Sequence, residues 1–394
     1  MNTRIILQLN LTFVVILILG CTGHNPLQPD VSMNQIGLGA VTEINTQVPQ
    51  TGQTVSYHPG DDGDLRKGAS WPFPRFQKNS DGTITDTFTG LMWEVNGKKG
   101  FNWKDAIGYC KNLRLGGYSD WRMPNRNELL SLISYGLDIY TLSAAAWLNK
   151  QGFDISNSEY WTSTTKVFYR YPSMDPNINF LETDQAWYVN MNYSFDEYYD
   201  TYFLGKGRTR YVIAVRTAYS KRILVPRTGQ TTSYYPGDDG DIQAGAAWPK
   251  PRFKDNGNGT IIDYLTGLTW EKVPENKTYI WSDAFDRIKK LNTVERKGGY
   301  TDWRLPNIRE MQSLINCGEM HNVAWLKNQG FGMPEGYYWS STTAGEYGSG
   351  GDVKWYYYMK DGWPWGGFTF SGPQTDSRYV LAVRSWKLKI HPGN

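Results

Sequence analysis

The chain has 394 residues, and its 41 Lys and Arg against 38 Asp and Glu leave a formal net charge of +3. That length suits two or three domains, and so even a balance lacks the strong positive field that nucleic acid would call for, so no nucleic-acid partner is expected. Aromatic residues reach 15%, with 17 Trp and 27 Tyr; such rings build large cores and, where exposed, stack on sugars or partner proteins.

The N-terminus reads as a targeting segment. Arg4 precedes a largely apolar run, Ile5–Leu19, which is short for a membrane span. The run closes on "ILGC", Ile18–Cys21, and a small residue before such a cysteine resembles the lipobox of bacterial lipoproteins. The resemblance implies a signal peptide over residues 1–20, lipid on the Cys21 sulfur and a membrane reached through that lipid. An ordinary secretory signal and a transmembrane anchor are the alternatives. No later apolar run is long enough to cross a membrane, so the remainder is expected to be exported and held in the cell envelope, at the outer membrane or cell surface. Residues 21–48 are polar, rich in Asn, Gln, Thr, Gly and Pro, and without periodicity; they read as a flexible tether.

From there the chain is written twice. "TGQTVSYHPGDDGD" (Thr51–Asp64) returns as "TGQTTSYYPGDDGD" (Thr228–Asp241), an offset of 177 residues. "TGLMWE" (Thr89–Glu94), "GGYSDWRMPN" (Gly116–Asn125), "YWTSTT" (Tyr160–Thr165) and "RYVIAVR" (Arg210–Arg216) recur in the same order at Thr266, Gly298, Tyr338 and Arg378. A unit this long is a whole domain rather than a solenoid repeat. The expected organisation is a first repeat domain at 49–222 and a second at 223–394.

Each unit reads as α+β. The Asp-Gly and Asn-Gly turns in "NSDGTITD" (79–86) and "NGNGTIID" (256–263) signal hairpins, because these residues accept positive φ. A first helix follows at 102–113 and 281–291; in the second copy Trp281, Ala284, Phe285, Ile288 and Leu291 share one face. In the first, Cys110 falls on the apolar stripe with Ala106, Ile107 and Leu113, which points to a buried free thiol. A disulfide with Cys317 is the alternative, though the two cysteines do not occupy matching positions.

The decapeptide has a structural reading. Gly116-Gly117 stops the first helix, Pro124 holds Met123 extended, and Asn125 caps a second helix with Glu128 at the reciprocal position. Asn307 and Glu310 repeat this. Arg122 is expected to pair with Asp120, and Arg304 with Asp302. The C-terminal half is strand-like: "DQAWYVNM" or "DVKWYYYM", then "YVIAVR" or "YVLAVR". The expected domain has two helices and a twisted antiparallel sheet.

With "TGLMWE", "GGYSDWRMPN", "YWTSTT" and "YVIAVR" in this order, each unit resembles the C-terminal domain family of the Legionella collagen-like adhesin, over about 49–217 and 226–386. The family implies an exported, surface-attached binding domain, and the named adhesin implies recognition of sulfated glycosaminoglycans. "DWRLPN" before a helix, with the closing "YVLAVR", is also similar to the C-type-lectin-like superfamily, which includes the formylglycine-generating enzymes.

The chemistry-bearing residues favour binding over catalysis. His24, His58, His321 and His391 do not recur between copies, and no GxSxG, HExxH or P-loop is present. The pair of active-site cysteines of the formylglycine-generating enzymes is missing from either unit. No cofactor is required by any motif. Calcium is the one candidate, at Asp61, Asp62 and Asp64 and again at Asp238, Asp239 and Asp241, where carboxylates in a tight turn could supply hard oxygen ligands; a plain turn is the alternative. "DPN" at Asp175–Asn177 stands where a lectin calcium loop would belong, but no WND follows. The junction "KGRTRYVIAVRTAYSKR" offers Lys206, Arg208, Arg210 and Arg222 to sulfate or carboxylate groups, or is a solvated linker. Trp355, Trp363 and Trp365 could stack on sugar faces or belong to the core. The reading is a non-catalytic envelope lipoprotein binding a glycan or another surface macromolecule as an adhesin; the competing one is a structural or assembly lipoprotein that binds a protein through its aromatic surface.

Overall fold

The computed structural model describes residues 48–138, 142–167, 184–192, 201–219, 225–346, 352–359 and 368–385. The signal segment, Cys21 and the tether up to residue 47 lie outside these, as do Asp175–Asn177, Arg222, Trp363 and Trp365.

The first repeat opens with a short helical turn, α1 (Asp62–Leu65), and the hairpin β1 (Phe76–Lys78) and β2 (Thr83–Asp86), followed by β3 (Leu91–Glu94) and β4 (Lys98–Phe101). Three helices come next: α2 (Trp103–Asn112), α3 (Arg126–Ser131) and α4 (Ala144–Lys150). The strands β5 (Glu159–Thr165), β6 (Gln185–Asn190), β7 (Thr201–Gly205), β8 (Arg210–Val212) and β9 (Val215–Thr217) complete it. The second repeat copies the order with α5 (Asp239–Ile242), β10 (Phe253–Asp255), β11 (Thr260–Asp263), β12 (Leu268–Glu271), β13 (Thr278–Tyr279), α6 (Trp281–Lys290), α7 (Ile308–Ser313) and α8 (Asn322–Asn328). It ends in β14 (Gly336–Glu346), β15 (Asp352–Met359), β16 (Phe368–Pro373), β17 (Arg378–Tyr379) and β18 (Val383–Ser385).

The tandem α+β architecture stands, with finer detail than the sequence suggested. Each repeat has a third helix and two sheets rather than one: β1-β2-β3-β9 and β4-β8-β5-β6-β7 in the first, β10-β11-β12-β18 and β13-β17-β14-β15-β16 in the second. Among the described residues one strand pairing in the sheets of each repeat is parallel, Tyr160 with Tyr211 and Tyr338 with Tyr379. The "YVIAVR" segment is therefore divided between two sheets. At the crossing the Ala214 amide donates to the Glu94 carboxylate at 3.2 Å, in place of a ladder partner. The predicted hairpin turn is present, with Gly82 at φ +86°.

The decapeptide is a brace. Asn125 and Glu128 form the reciprocal cap, as do Asn307 and Glu310. Trp121 and Trp303 are buried and donate from Nε1 to the Leu115 and Lys297 carbonyls, both at 3.1 Å. The expected Asp120–Arg122 pairing is not made. Arg122 instead forks onto Glu128 at 2.6 and 2.5 Å, because the buried Glu128 needs a partner for its remaining lone pairs. Asp120 takes Arg216 at 2.7 and 3.1 Å, and that guanidinium lies 3.7 Å over the Tyr118 ring. The second repeat does the same with Arg304–Glu310, Arg384–Asp302 and Tyr300. Cys110 and Cys317 are both free and buried, and burial raises both thiols, Cys317 to about 11.

The two repeats share a central core cluster, and each has a second cluster of its own, around Trp103 and Trp121 in the first and around Trp281 and Trp303 in the second. Leu129, Leu132, Ile133 and Tyr135 join Leu314, Ile315 and Trp355 in a continuous apolar cluster, and the Tyr135 and Trp355 rings meet edge to face at 5.5 Å. Each repeat's leading arm, 48–70 or 225–247, is also laid across the other repeat. Thr342 donates to Asp62 at 2.8 Å and the Thr343 amide to Gln53 Oε1 at 3.1 Å. Reciprocally, Thr164 donates to Asp239 at 2.7 Å and the Thr165 amide to Gln230 Oε1 at 3.0 Å. Asn307 and Asn125 each add a bond to the opposite arm, at the Lys67 and Ala244 carbonyls.

Candidate ligand-binding faces

The Asp-rich turns are the most internally bonded of the predicted sites. Asp61 accepts from the amides of Tyr57, His58 and Asp64 at 2.7, 3.1 and 2.9 Å, and Asp64 from the Gly60 amide at 2.7 Å. Asp62 is buried between the hydroxyls of Thr51, at 2.6 Å, and Thr342. Asp238, Asp241 and Asp239 repeat these bonds, the last with Thr228 at 2.6 Å. Burial pushes both Asp62 and Asp239 up to about 7. The three carboxylates of each turn thus face three different sets of donors. Among the described residues no group of three or more His, Cys, Asp or Glu is placed to hold a metal ion. Glycine is required inside the turn, since a Cβ at Gly63 would meet the Val55 carbonyl oxygen at 1.9 Å.

The basic junction comes apart in space. Lys206, expected on the surface, is buried: its Nζ donates to Thr165 Oγ1 at 2.9 Å and lies 4.0 Å over the Trp103 ring and 5.6 Å over Tyr234 of the second arm. Burial lowers it to about 8. Its counterpart in space is Lys354, which donates to Thr343 at 3.0 Å over Trp281, at 4.0 Å, and Tyr57 of the first arm. The two lysines sit at different places in the repeat, one after β7 and one on β15, yet deliver an ammonium to the same spot. Arg208 is exposed, whereas Arg210 pairs with Glu159 and lies 5.3 Å over Tyr188. Trp355 is 1% exposed; it fills the shared core and presents no face to a ligand.

What the sequence reading missed is a tyrosine face on the second repeat. Tyr337 and Tyr358 stand opposite each other on β14 and β15. Their rings stack at 4.4 Å with a 20° interplanar angle, and Tyr356 meets Tyr337 edge to face at 5.5 Å. Arg378 holds the group from one side: its guanidinium is 3.6 Å over Tyr356 and bonded to Asp376 at 2.6 Å. Tyr337 is 41% exposed, so its outer ring face meets water. The signal was available in the sequence as the change from "SEYW" to "GYYW" and from "WYVNM" to "WYYYM" between copies.

A family model described as the Lcl C-terminal domain matches residues 82–216 and 259–384. The chain belongs to the Lcl C-terminal domain family. It carries two such domains in tandem, and both matched ranges begin after the exchanged arms. Membership in this family indicates an adhesin-like role at the cell surface. No curated protein matches the chain significantly. Among the described residues no helix is long and apolar enough to cross a membrane.

Proposed function

We propose that this protein is a lipid-anchored, non-catalytic adhesin of the cell envelope that binds a glycan on the tyrosine face of its second repeat. The supporting observation is the exposed Tyr337 ring stacked on the buried Tyr358, which presents one flat aromatic face of the kind on which the apolar face of a sugar ring rests. The rings are held before any ligand arrives, by cross-strand pairing and by Arg378, so little side-chain freedom is lost on binding. A sulfated or carboxylated glycan is the class that the resemblance to the Legionella adhesin suggests. Anchoring is through lipid on Cys21; Cys21→Ser is expected to leave the membrane fraction, and a variant that stays there at full length would make the segment a transmembrane anchor.

The test is a glycan array probed with the full chain and with Tyr337→Ala. Retention of one glycan class by the native chain and its loss in the variant support the reading. Absence of any retained glycan, together with one protein that co-purifies stoichiometrically, would favour the protein-partner reading of the same aromatic face.

A further inference from the structure

The two copies differ beside the place where the segment that follows Cys21 joins the described fold. The Ala69 amide donates to the Val48 carbonyl and the Gln50 amide to the Ala69 carbonyl, both at 2.9 Å, and Gln50 Nε2 donates to the Arg66 carbonyl at 2.7 Å. The chain therefore arrives against residues 66–69. From Leu65 to Lys78 the sequence reads "LRKGASWPFPRFQK", with four basic residues and no acidic one; the second copy reads "IQAGAAWPKPRFKD" (Ile242–Asp255). Arg66, Lys67 and Phe73 are thus replaced by Gln243, Ala244 and Lys250 in the copy that lies farther along the chain.

The three residues peculiar to the first copy are all at the surface. Arg66 and Lys67 are exposed, the Arg66 guanidinium being held by the Gly63 and Thr54 carbonyls at 3.1 and 2.8 Å. Phe73 is 102% exposed, against 72% for Val294, the next most exposed large hydrophobic among the described residues. Its ring is not free to fold back. Pro72 and Pro74 fix the backbone on either side, and the loop is fastened at both ends. Trp71 packs on Trp147 at 5.9 Å and under the Arg75 guanidinium at 4.7 Å, while Arg75 pairs with Asp86 at 2.8 Å. The Thr87 hydroxyl donates to the Pro74 carbonyl at 3.1 Å. A protruding phenyl beside exposed cations, in a stretch without carboxylates, suits a bilayer interface: the ring enters the acyl boundary and the cations meet anionic headgroups.

We propose that the Trp71–Arg75 loop is a second membrane contact, with Phe73 at the acyl boundary of an anionic bilayer and Arg66 and Lys67 at its headgroups. The inference rests on the anchoring of the chain through lipid on Cys21. It adds what that anchor leaves open, the side of the folded part that faces the bilayer. The segment from Cys21 to Val48 spans up to about 90 Å when fully extended, so the lipid by itself selects no face.

The test uses the lipidated full chain in vesicles of phosphatidylethanolamine and phosphatidylglycerol. A nitrobenzoxadiazole fluorophore is attached at Phe73→Cys or, as the control on the second repeat, at Val294→Cys. Cys110 and Cys317 are buried, and Cys21 carries the lipid. An interfacial anchor lies about 5–10 Å into the headgroup and acyl boundary, so phospholipids brominated on their acyl chains are expected to remove about half of the emission at 73. Emission at 294 is expected to stay unchanged. Unquenched emission at 73, on a chain that floats with the vesicles, would overturn the inference and leave the lipid anchor standing. Equal quenching at both positions would also overturn it, since the chain would then lie on the bilayer without a chosen face. A chain that does not float with the vesicles would overturn the anchoring reading, and this inference with it.

Discussion

Where the first repeat sets Glu159 opposite Asn190 across β5 and β6, the second sets Tyr337 opposite Tyr358 across β14 and β15. The arginine beside this pair is retained, as Arg210 and Arg378. In the first repeat it is spent on an ion pair with Glu159; in the second it stacks on Tyr356 and takes Asp376 from its own loop. The braces beneath, from Asn125–Glu128–Arg122 to Asn307–Glu310–Arg304, are the same. Duplication has kept the framework and changed one outer face, which is what is expected when one copy can carry the fold and the other is free to carry a ligand.

The largest effects should be alike in the two repeats, because they fall on the common framework. Trp121→Ala and Trp303→Ala each remove a buried indole and its hydrogen bond, and each is expected to destabilise by about 3–5 kcal/mol in chemical denaturation. A large loss in one repeat and a small one in the other would break the equivalence of the two cores.

The next effect probes the exchanged arms. Asp62 and Asp239 are raised by burial from an ordinary carboxylate value near 3.8 to about 7. The folded protein therefore holds more protons than the unfolded chain between those limits. Stability from this source is greatest at the acid end, declines as pH rises from about 4 towards 7, and is flat above it. Asp62→Asn or Asp239→Asn should flatten the pH dependence and be more stable than the native chain at pH 8, on the order of 1–3 kcal/mol. The two variants should behave alike, and melting temperatures between pH 5 and pH 8 give the answer. A variant that loses stability at pH 8 would mean that the carboxylates are held ionised.

The smallest effect should be at Arg208, an exposed side chain on the first repeat. Arg208→Ser is expected to change stability by less than about 0.5 kcal/mol and to lower only slightly the salt concentration that elutes the chain from heparin. A large drop would move the anion contact from the second repeat to the first.

The parts of this molecule that could be read from sequence are those whose partners are close in the chain. The Asn125–Glu128 cap spans three residues, and the Gly82 turn and the α6 stripe are equally local. The arm exchange could not be read in this way, since Thr342 lies 280 residues from Asp62 and either repeat could have supplied the hydroxyl. Lys206 was misplaced because a run of cations suggests a solvated surface, whereas a Trp face and a Thr hydroxyl bury this one. Lys354, which fills the same place in the second repeat, escapes notice because repeat comparison looks for equal positions in sequence and not equal places in space. Arg122 was assigned to the nearer carboxylate in sequence, yet the buried Glu128 had the greater need of a cation.

The most direct test of the account compares one position in the two repeats. Affinity for the glycan that the array identifies should be measured for Tyr337→Ala and for Glu159→Ala, with unfolding curves as the control. The account predicts a loss of at least about 10-fold for Tyr337→Ala, as base- or ring-stacking anchors typically give on truncation, and native affinity for Glu159→Ala, both variants remaining folded. Native affinity in Tyr337→Ala, or a loss confined to Glu159→Ala, would contradict it.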